Sequence, residues 1–377
     1  KWLDNDFYVG TFSVNYDSNQ TQAVIGGSYS NYDGAHLGNL IWAQYSSNAA
    51  PNHRFYESDA DKKDFNLYAK VTQRLGTAWT VYADIQYRIV AYNSTGTVKG
   101  PEPITIDDTL SFFNPKAGIT YRASEASRLY LSYAKAQREP NRSDYENGIP
   151  KPESLNDFEA GWRFKKEKVQ LQANLYYMDY KNQLVLTGAL DAVGEPIRTN
   201  SGASYRFGLE IEAAIQFAEQ WVWQPNLALS SNKNKDFYFK RDGQLQNLGT
   251  THISYSPAVV GASNLVYAPT TVFRVALLSK YVGGQYMGNI DADLSKLDAY
   301  FTNDINISYV WAANSWLKEA QFSLLVNNIF DEVYTSNGYF YTFDDDYSVP
   351  DVVTTIEGVG YYPQAGTNFL LGATFRF

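Results

Sequence analysis

The chain has 377 residues and a formal net charge of -9. It contains 31 Tyr, 21 Phe and 8 Trp but no Cys. The missing thiol excludes disulfide scaffolds, Cys-ligated zinc and thiol catalysis, and the acidic balance argues against a nucleic-acid partner. No apolar run approaches the ~20 residues of a membrane helix.

No helix and no signal peptide is evident, and Lys1 is not an initiator residue, so the biological start is expected upstream. The recurring pattern is alternation of apolar and polar residues with period 2, the mark of strands with two different faces. The first candidate strand is Phe7–Tyr16. Val81, Ala83, Ile85 and Tyr87 then alternate with Tyr82, Asp84, Gln86 and Arg88. Val169, Leu171, Ala173, Leu175 and Tyr177 oppose Gln170, Gln172 and Asn174. Tyr205, Phe207, Leu209, Ile211, Ala213, Ile215 and Phe217 oppose Arg206, Gly208, Glu210, Glu212, Ala214 and Gln216. Ile305, Ile307, Tyr309 and Trp311 oppose Asp304, Asn306 and Ser308. In the last strand Phe369, Leu371, Ala373, Phe375 and Phe377 share a side. About fifteen such candidates of roughly 9 to 14 residues match the ~9 to 11 that a tilted strand needs to cross a bilayer. Ordinary strands have about 5 to 6.

The links alternate in length. Short turns fall near Asp17–Gln20, Leu75–Ala78, Ala123–Ser127, Lys165–Lys168, Ala218–Gln220, Ala268–Thr271 and Ala312–Lys318. Between them lie long polar stretches: Asp33–Asp64, Asn93–Leu110, Gln137–Ser154, Thr187–Ala203, Asn232–Pro257, Gly284–Tyr300 and Asp331–Gly366. Short turns on one rim and long loops on the other are the organisation of an outer-membrane barrel. Trp79, Trp162, Trp221, Trp223, Trp311 and Trp316 sit near the short turns, as an interfacial girdle requires. A soluble all-β protein such as a propeller is the alternative, but no blade-sized repeat is visible. Lipid offers no hydrogen bonds, so the sheet must close. An odd count near fifteen cannot close as a purely antiparallel cylinder, so further N-terminal strands are expected.

Ser323–Tyr334 (SLLVNNIFDEVY) and Tyr361–Gly372 (YYPQAGTNFLLG), leading into a final strand that ends at Phe377, resemble the closing motifs of TonB-dependent outer-membrane receptors. Asn114–Tyr121 and Arg138–Tyr145 are similar to interior segments of the same family, in its Bacteroidetes-type, iron-complex variety. The resemblance implies an all-β transmembrane antiparallel barrel. About 15 strands of a 22-stranded cylinder would be present, and residues 1–377 would form one incomplete C-terminal barrel domain without the plug and first strands. It further implies an active importer of a scarce large solute, a ferric siderophore first. TonB–ExbB–ExbD would power it through the N-terminal part, with outer-membrane lipids around it. A glycan importer working with a surface lipoprotein and a passive channel are the alternatives.

No nucleophile–base set or phosphate loop is found, so no catalytic residue is assigned and an enzyme is not expected. Glu210 and Glu212 read as a hydrated lumen wall. Tyr334, Tyr339, Phe340, Tyr341, Phe343 and Tyr347 crowd the last long loop, and Phe237, Tyr238, Phe239, Lys240 and Arg241 crowd another. Rings stack on planar ligands and cations attract an anionic chelate, so these are the candidate ligand contacts, together with Arg138 and Arg142. Arg138, Glu139 and Arg142 also read as an ion-pair set. His36, His53 and His252 are scattered over loops, which does not favour a haem site. No resident metal or cofactor is assigned. An iron chelate would be the cargo, and Asp344–Asp346 could at most offer oxygen ligands to Ca²⁺.

Overall fold

The computed structural model describes residues 2–45, 50, 52–98, 102–190, 196–312 and 316–377. In chain order the first strands are β1 (Trp2–Asp17), β2 (Thr21–Leu40), β3 (His53–Leu75), β4 (Trp79–Val98), β5 (Glu102–Arg122) and β6 (Ser127–Arg138). A five-residue helix, α1 (Arg142–Glu146), precedes β7 (Glu153–Lys166), β8 (Val169–Lys181), β9 (Leu184–Leu190), β10 (Pro196–Asn200), β11 (Ala203–Ala218) and β12 (Trp221–Lys235). Then come β13 (Tyr238–Arg241), β14 (Gln244–Asn247), β15 (Thr251–His252), β16 (Val259–Tyr267), β17 (Phe273–Val282) and β18 (Gln285–Tyr286). A 3-10 turn over Asp293–Ser295 leads to β19 (Lys296–Leu297), β20 (Tyr300–Ala312), β21 (Glu319–Asn327), β22 (Thr335–Asp345), β23 (Thr354–Pro363) and β24 (Asn368–Arg376).

The wall is one antiparallel sheet in the order β1 to β8, β11, β12, β16, β17, β20, β21, β24, with β15 added against β12. This bears out the expected fold and the count of about fifteen wall strands. The sheet is open, because β1 and β24 are edge strands that run in the same sense.

Register sorts the side chains. Glu210 faces Asn174 and Ala228, and Gly208 faces Tyr176 and Ser230, so the polar sets of adjacent strands share one face, the lumen side. The other face carries Leu67, Ile85, Ile119, Leu131, Leu175, Ile211 and Leu227, each between 38% and 58% exposed. A water-soluble sheet would bury such a face; here it is the surface offered to hydrocarbon.

Two aromatic rows bound that surface. Near the short turns, Trp79 packs on Tyr121 at 4.4 Å and Trp221 on Tyr267 at 4.5 Å. The indole N–H groups of Trp162 and Trp223 donate to the hydroxyls of Ser127 and Ser263, at 2.9 and 2.8 Å. Trp316 stacks on Phe377 at 5.4 Å. Higher up, Tyr133, Phe158, Tyr177 and Phe207 stand side by side across β6, β7, β8 and β11. Trp79 and Tyr87, eight residues apart on β4, are about 26 Å apart along the strand, or ~20 Å of membrane height at the usual tilt.

The turn-length alternation holds among the described residues; part of the Ala312–Lys318 turn lies outside them. Two expectations need correction. Much of Asp33–Asp64 and Asn93–Leu110 is strand and not loop: β2 through β5 run 20 to 23 residues, well beyond the expected 9 to 14. Above the membrane the outer face of these strands meets water, while the inner face buries Val98, Ile104 and Ile106 against Tyr92 and Tyr145, so the lipid-facing apolar alternation stops while the hydrogen-bonded ladder continues. The stretch after Arg138 also contains a helix, α1. Its N-cap is Asn141, whose side chain accepts from the Asp144 N–H while Asp144 accepts from the Asn141 N–H, a capping-box arrangement.

Candidate functional site: an aromatic hairpin over a polar lumen

Above the membrane the long loops pack against each other. Val185, Phe237, Phe239, Met287, Ile290, Leu297 and Phe340 form one buried cluster, joined at its edge by Leu248 and Val359. This is a small core of its own, drawn from the segment after β8, the β13–β14 hairpin, the β18–β19 segment and the β22–β23 hairpin. Polar stitching surrounds it. The buried Asn289 side chain donates to the Leu186 carbonyl at 2.9 Å and accepts from the Ser254 N–H at 3.0 Å. The Tyr255 hydroxyl donates to the Gly338 carbonyl at 2.7 Å. Burial pushes that phenol's pKa up. Gly288 leaves room for the Phe340 ring, since a Cβ there would lie 2.8 Å from it.

The cap divides the candidate residues. Phe237, Phe239 and Phe340 are 2%, 8% and 9% exposed; they fill the cap core and present no surface to a ligand. Strand alternation sends their neighbours the other way. Tyr339 and Phe343 are 49% and 42% exposed, with Tyr341 half-buried between them. The three rings stack in a row, with centroids 6.3 and 6.4 Å apart, and Tyr362 of β23 adds a fourth ring 6.0 Å from Tyr339. Gly358 and Gly360 lie under Tyr341 and Tyr339, which lets the rings lie down across the hairpin. Tyr238 and Tyr347 are exposed singly. Tyr334 stacks on Tyr300 at 4.4 Å, at the foot of the hairpin.

The cationic candidates are engaged. Arg241 donates to Glu357 at 2.8 Å and lies over the Phe239 ring. Arg142 pairs with Glu146 at 2.9 Å and donates to the Ser58 hydroxyl at 2.7 Å, fixing α1 to the inner face of β3. Arg138 pairs with Glu153 at 3.2 Å. Lys240 is freer, 63% exposed and 3.4 Å from Asp344. Of the acidic tip, Asp344 accepts from the Thr355 hydroxyl, and Asp345 accepts the N–H groups of Tyr347 and Ser348. No group of three or more His, Asp or Glu side chains suited to a metal ion occurs among the described residues.

The expected ion-pair set of Arg138, Glu139 and Arg142 is split, with Arg138 on Glu153, Arg142 on Glu146 and Glu139 on Lys62 and Arg88. Glu139 accepts from Arg88 at 2.8 and 2.9 Å and from Lys62 at 3.0 Å, and Arg88 also holds Asp64. Burial alone would raise the Glu139 pKa, but the hydrogen bonds from Arg88 and Lys62 outweigh it and hold it at about 2. Nearby, Asp144 is 4% exposed and pairs with Arg198 at 3.0 Å. The Tyr145 hydroxyl donates to Asp108 at 2.7 Å, and burial together with that carboxylate raises its pKa. The partners of Glu139 lie 51 and 77 residues away in sequence, so no local motif marked them.

Below the cap, a polar recess of about 350 Å³ opens between the wall and the loop, lined by Glu159, Tyr176, Arg206, Glu210, Asn232 and Tyr255. A larger recess, about 430 Å³ and bordered by Glu125, Arg128 and Arg163, lies at the opposite, short-turn rim, away from these rings.

A family model described as "TonB dependent receptor-like, beta-barrel" matches residues 2–329. The chain is 22% identical over 305 residues to the catecholate siderophore receptor Fiu of Escherichia coli K12, covering 75% of this chain and 35% of that protein. The crystal structure of the ferric yersiniabactin uptake receptor FyuA from Yersinia pestis superposes with a TM-score of 0.66 at 16% identity, over 100% of this chain and 55% of that one. That of the unliganded ferric citrate transporter FecA gives 0.72 at 14% identity, over 99% and 55%. The chain thus spans a third to about half the length of these relatives. With its wall strands, outward apolar face and loop-bearing rim all accounted for, the chain belongs to the TonB-dependent receptors, β-barrel proteins of the bacterial outer membrane.

Proposed function

We propose that this chain forms the barrel wall and outer vestibule of an active importer for a ferric siderophore, with a catecholate-type chelate as the leading substrate. Energy would come from TonB–ExbB–ExbD, acting through a plug as in the rest of the family. The observation that carries the reading is the row Tyr339, Tyr341, Phe343 with Tyr362, uncovered on one side of a hairpin whose other side is packed. Flat aromatic ligand rings stack on such a surface in offset fashion, each pair contributing about 0.5–1.5 kcal/mol beyond burial. Lys240 and the singly exposed Tyr238 and Tyr347 stand as outer contacts for an anionic chelate. Arg138, Arg142, Arg241 and Tyr334 hold the vestibule's shape. No step of covalent chemistry is needed, and we assign this chain no enzymatic role. A relative described as a catecholate siderophore receptor supports the substrate class.

The test is uptake of radioiron-labelled ferric catecholate by a receptor-deficient strain expressing the full-length protein. Wild type should restore uptake, and the Tyr341→Ala/Phe343→Ala variant should bind about tenfold more weakly while still reaching the outer membrane. Restored growth on oligosaccharide with no iron uptake would overturn the siderophore reading in favour of a glycan importer.

A further inference from the structure

The β22–β23 hairpin contains two glycines that its backbone does not require. On the uncovered face β23 presents Ile356, Gly358 and Gly360, and the β22 residues opposite them are Phe343, Tyr341 and Tyr339. Glycine inside a strand weakens it, and a β-branched residue suits such a position better. Neither glycine is among the residues with positive φ, so no special backbone conformation calls for them. Ile356 stands one step along on the same face, so that face accepts a side chain. What sets the glycines apart is the residue opposite, a tyrosine whose ring crosses onto β23. A Cβ at Gly358 would lie 2.6 Å from the Tyr341 hydroxyl oxygen, and one at Gly360 would lie 2.5 Å from that of Tyr339. The ring ends thus occupy the space of the missing side chains. The two glycines are two residues apart, which sets the hydroxyl groups about 7 Å from each other. Neither hydroxyl has a hydrogen-bond partner among the described residues. The phenols turned away from this face are engaged: Tyr255 and Tyr361 donate to the Gly338 and Leu294 carbonyls at 2.7 and 3.0 Å.

We propose that Gly358 and Gly360 are positioning residues for substrate choice, seating the Tyr339 and Tyr341 hydroxyls as a pair of free donors for the anionic ring oxygens of an aromatic chelate. The role rests on the siderophore reading and narrows it. A bare ring surface accepts any flat apolar group. Two donors at the ring ends favour a ligand whose ring carries charged oxygens at its edge, because a hydrogen bond to a charged acceptor is roughly twice as strong as a neutral one. The third ring of the row, Phe343, has no hydroxyl and has Ile356 opposite it, so it contributes surface alone. A side chain on either glycine would meet the far end of a tyrosine. The flexible ring would swing off the strand and take its hydroxyl with it, while the backbone stays in place.

The experiment uses the full-length receptor in detergent with ferric 2,3-dihydroxybenzoate as the probe, and reads the dissociation constant from quenching of intrinsic fluorescence. Gly358→Val/Gly360→Val should weaken binding at least about tenfold. Tyr339→Phe/Tyr341→Phe keeps the rings and should weaken it at least about fivefold. In a Tyr339→Ala/Tyr341→Ala background the valine pair should change affinity by less than about twofold more, since no ring is left to move. Amide protection across Thr335–Pro363 should stay within about threefold of wild type in the valine pair. Loss of that protection overturns the proposal, because the glycines would then serve the fold. So does undiminished binding by the valine pair or by the phenylalanine pair, or an equal loss from the valines with and without the tyrosines. Those results leave the siderophore reading standing. Failure of the wild-type receptor to bind the probe defeats that reading and this role together.

Discussion

If the cap has a core of its own, emptying that core should open the loops and leave the barrel standing. Phe237 is the best position to test, since it is 2% exposed. Its backbone is also paired, with its N–H donating to Gly249 at 2.9 Å and its carbonyl accepting from Leu248 at 2.8 Å. Truncation of a buried Phe to Ala costs about 3–5 kcal/mol through lost transfer energy and the cavity left behind. The cap is tied to the wall by the β15–β12 pair and the Asn234–Asn289 bond, but its apolar core draws on no wall strand, so that cost should fall on local opening and not on global unfolding. Each 1.4 kcal/mol is tenfold, so amide protection across Phe237–Leu248 and Thr335–Pro363 should fall by about two to four orders of magnitude in Phe237→Ala. Hydrogen exchange followed by mass spectrometry of the detergent-solubilised protein measures it, with the wall peptide Val169–Lys181 as internal reference. Tyr341→Ala, on the uncovered side of the same hairpin, should leave protection within about threefold. Equal loss of protection in wall and cap would refute a separate cap core, and so would an equal effect of the two substitutions.

Other expectations follow from the same geometry. At Gly208 a Cβ would lie 2.6 Å from Cζ of Tyr176, so Gly208→Val should displace that ring at about 1–3 kcal/mol; urea unfolding should show recovery in the double variant with Tyr176→Ala. Glu139 titrates at about 2 against an ordinary 4.5. A depressed folded pKa stabilises above the unfolded value and is lost as pH falls through the folded one. The stability gap between wild type and Glu139→Gln should thus be constant above about pH 5 and close toward pH 2. Its plateau is on the order of 1–2 kcal/mol after screening by lumen water. Lipids brominated on the acyl chain should quench single-Trp variants retaining Trp79, Trp223 or Trp311. They should spare one retaining Trp42, which is 77% exposed on the β2–β3 loop; quenching of Trp42 alone would contradict the orientation.

Which parts were legible in the sequence follows from the range of the forces involved. A strand that separates lipid from water repeats every two residues, so Val169–Tyr177 and Tyr205–Phe217 announce both faces without any partner. The turns are legible for the same local reason. Nothing local reports a long-range partner: the Glu139–Arg88 contact and the single bridge between Thr342 and Ala189 join segments whose neighbours are silent about each other. The aromatic loop was visible as composition, but burial split it. The pattern Tyr339-Phe340-Tyr341-Thr342-Phe343 carries a period-2 signal that, taken as a strand, separates Phe340 from the exposed rings. Treating the segment as loop discarded that signal. The capping box at Asn141–Asp144 was equally local and equally readable.

The division of the β22–β23 hairpin bears on how a receptor of this kind can hold a greasy surface open toward water. Rings left uncovered on a mobile loop would collapse onto one another or onto the wall, since burial of a ring stabilises by ~25 cal/mol per Å². Here Phe340 is already fixed among Phe237, Phe239 and Met287, and the Tyr255–Gly338 and Arg241–Glu357 bonds pin the hairpin at two further points. Collapse of Tyr339, Tyr341 and Phe343 would require breaking that packing, at a cost comparable to the surface it would hide. A ligand that covers the rings meets no such cost, because the hairpin is already ordered before it arrives. The cap core is therefore what keeps the aromatic row available. On that account a cap-core truncation should weaken ligand binding without touching a ligand contact, whereas a truncation in the exposed row should weaken it with the cap intact.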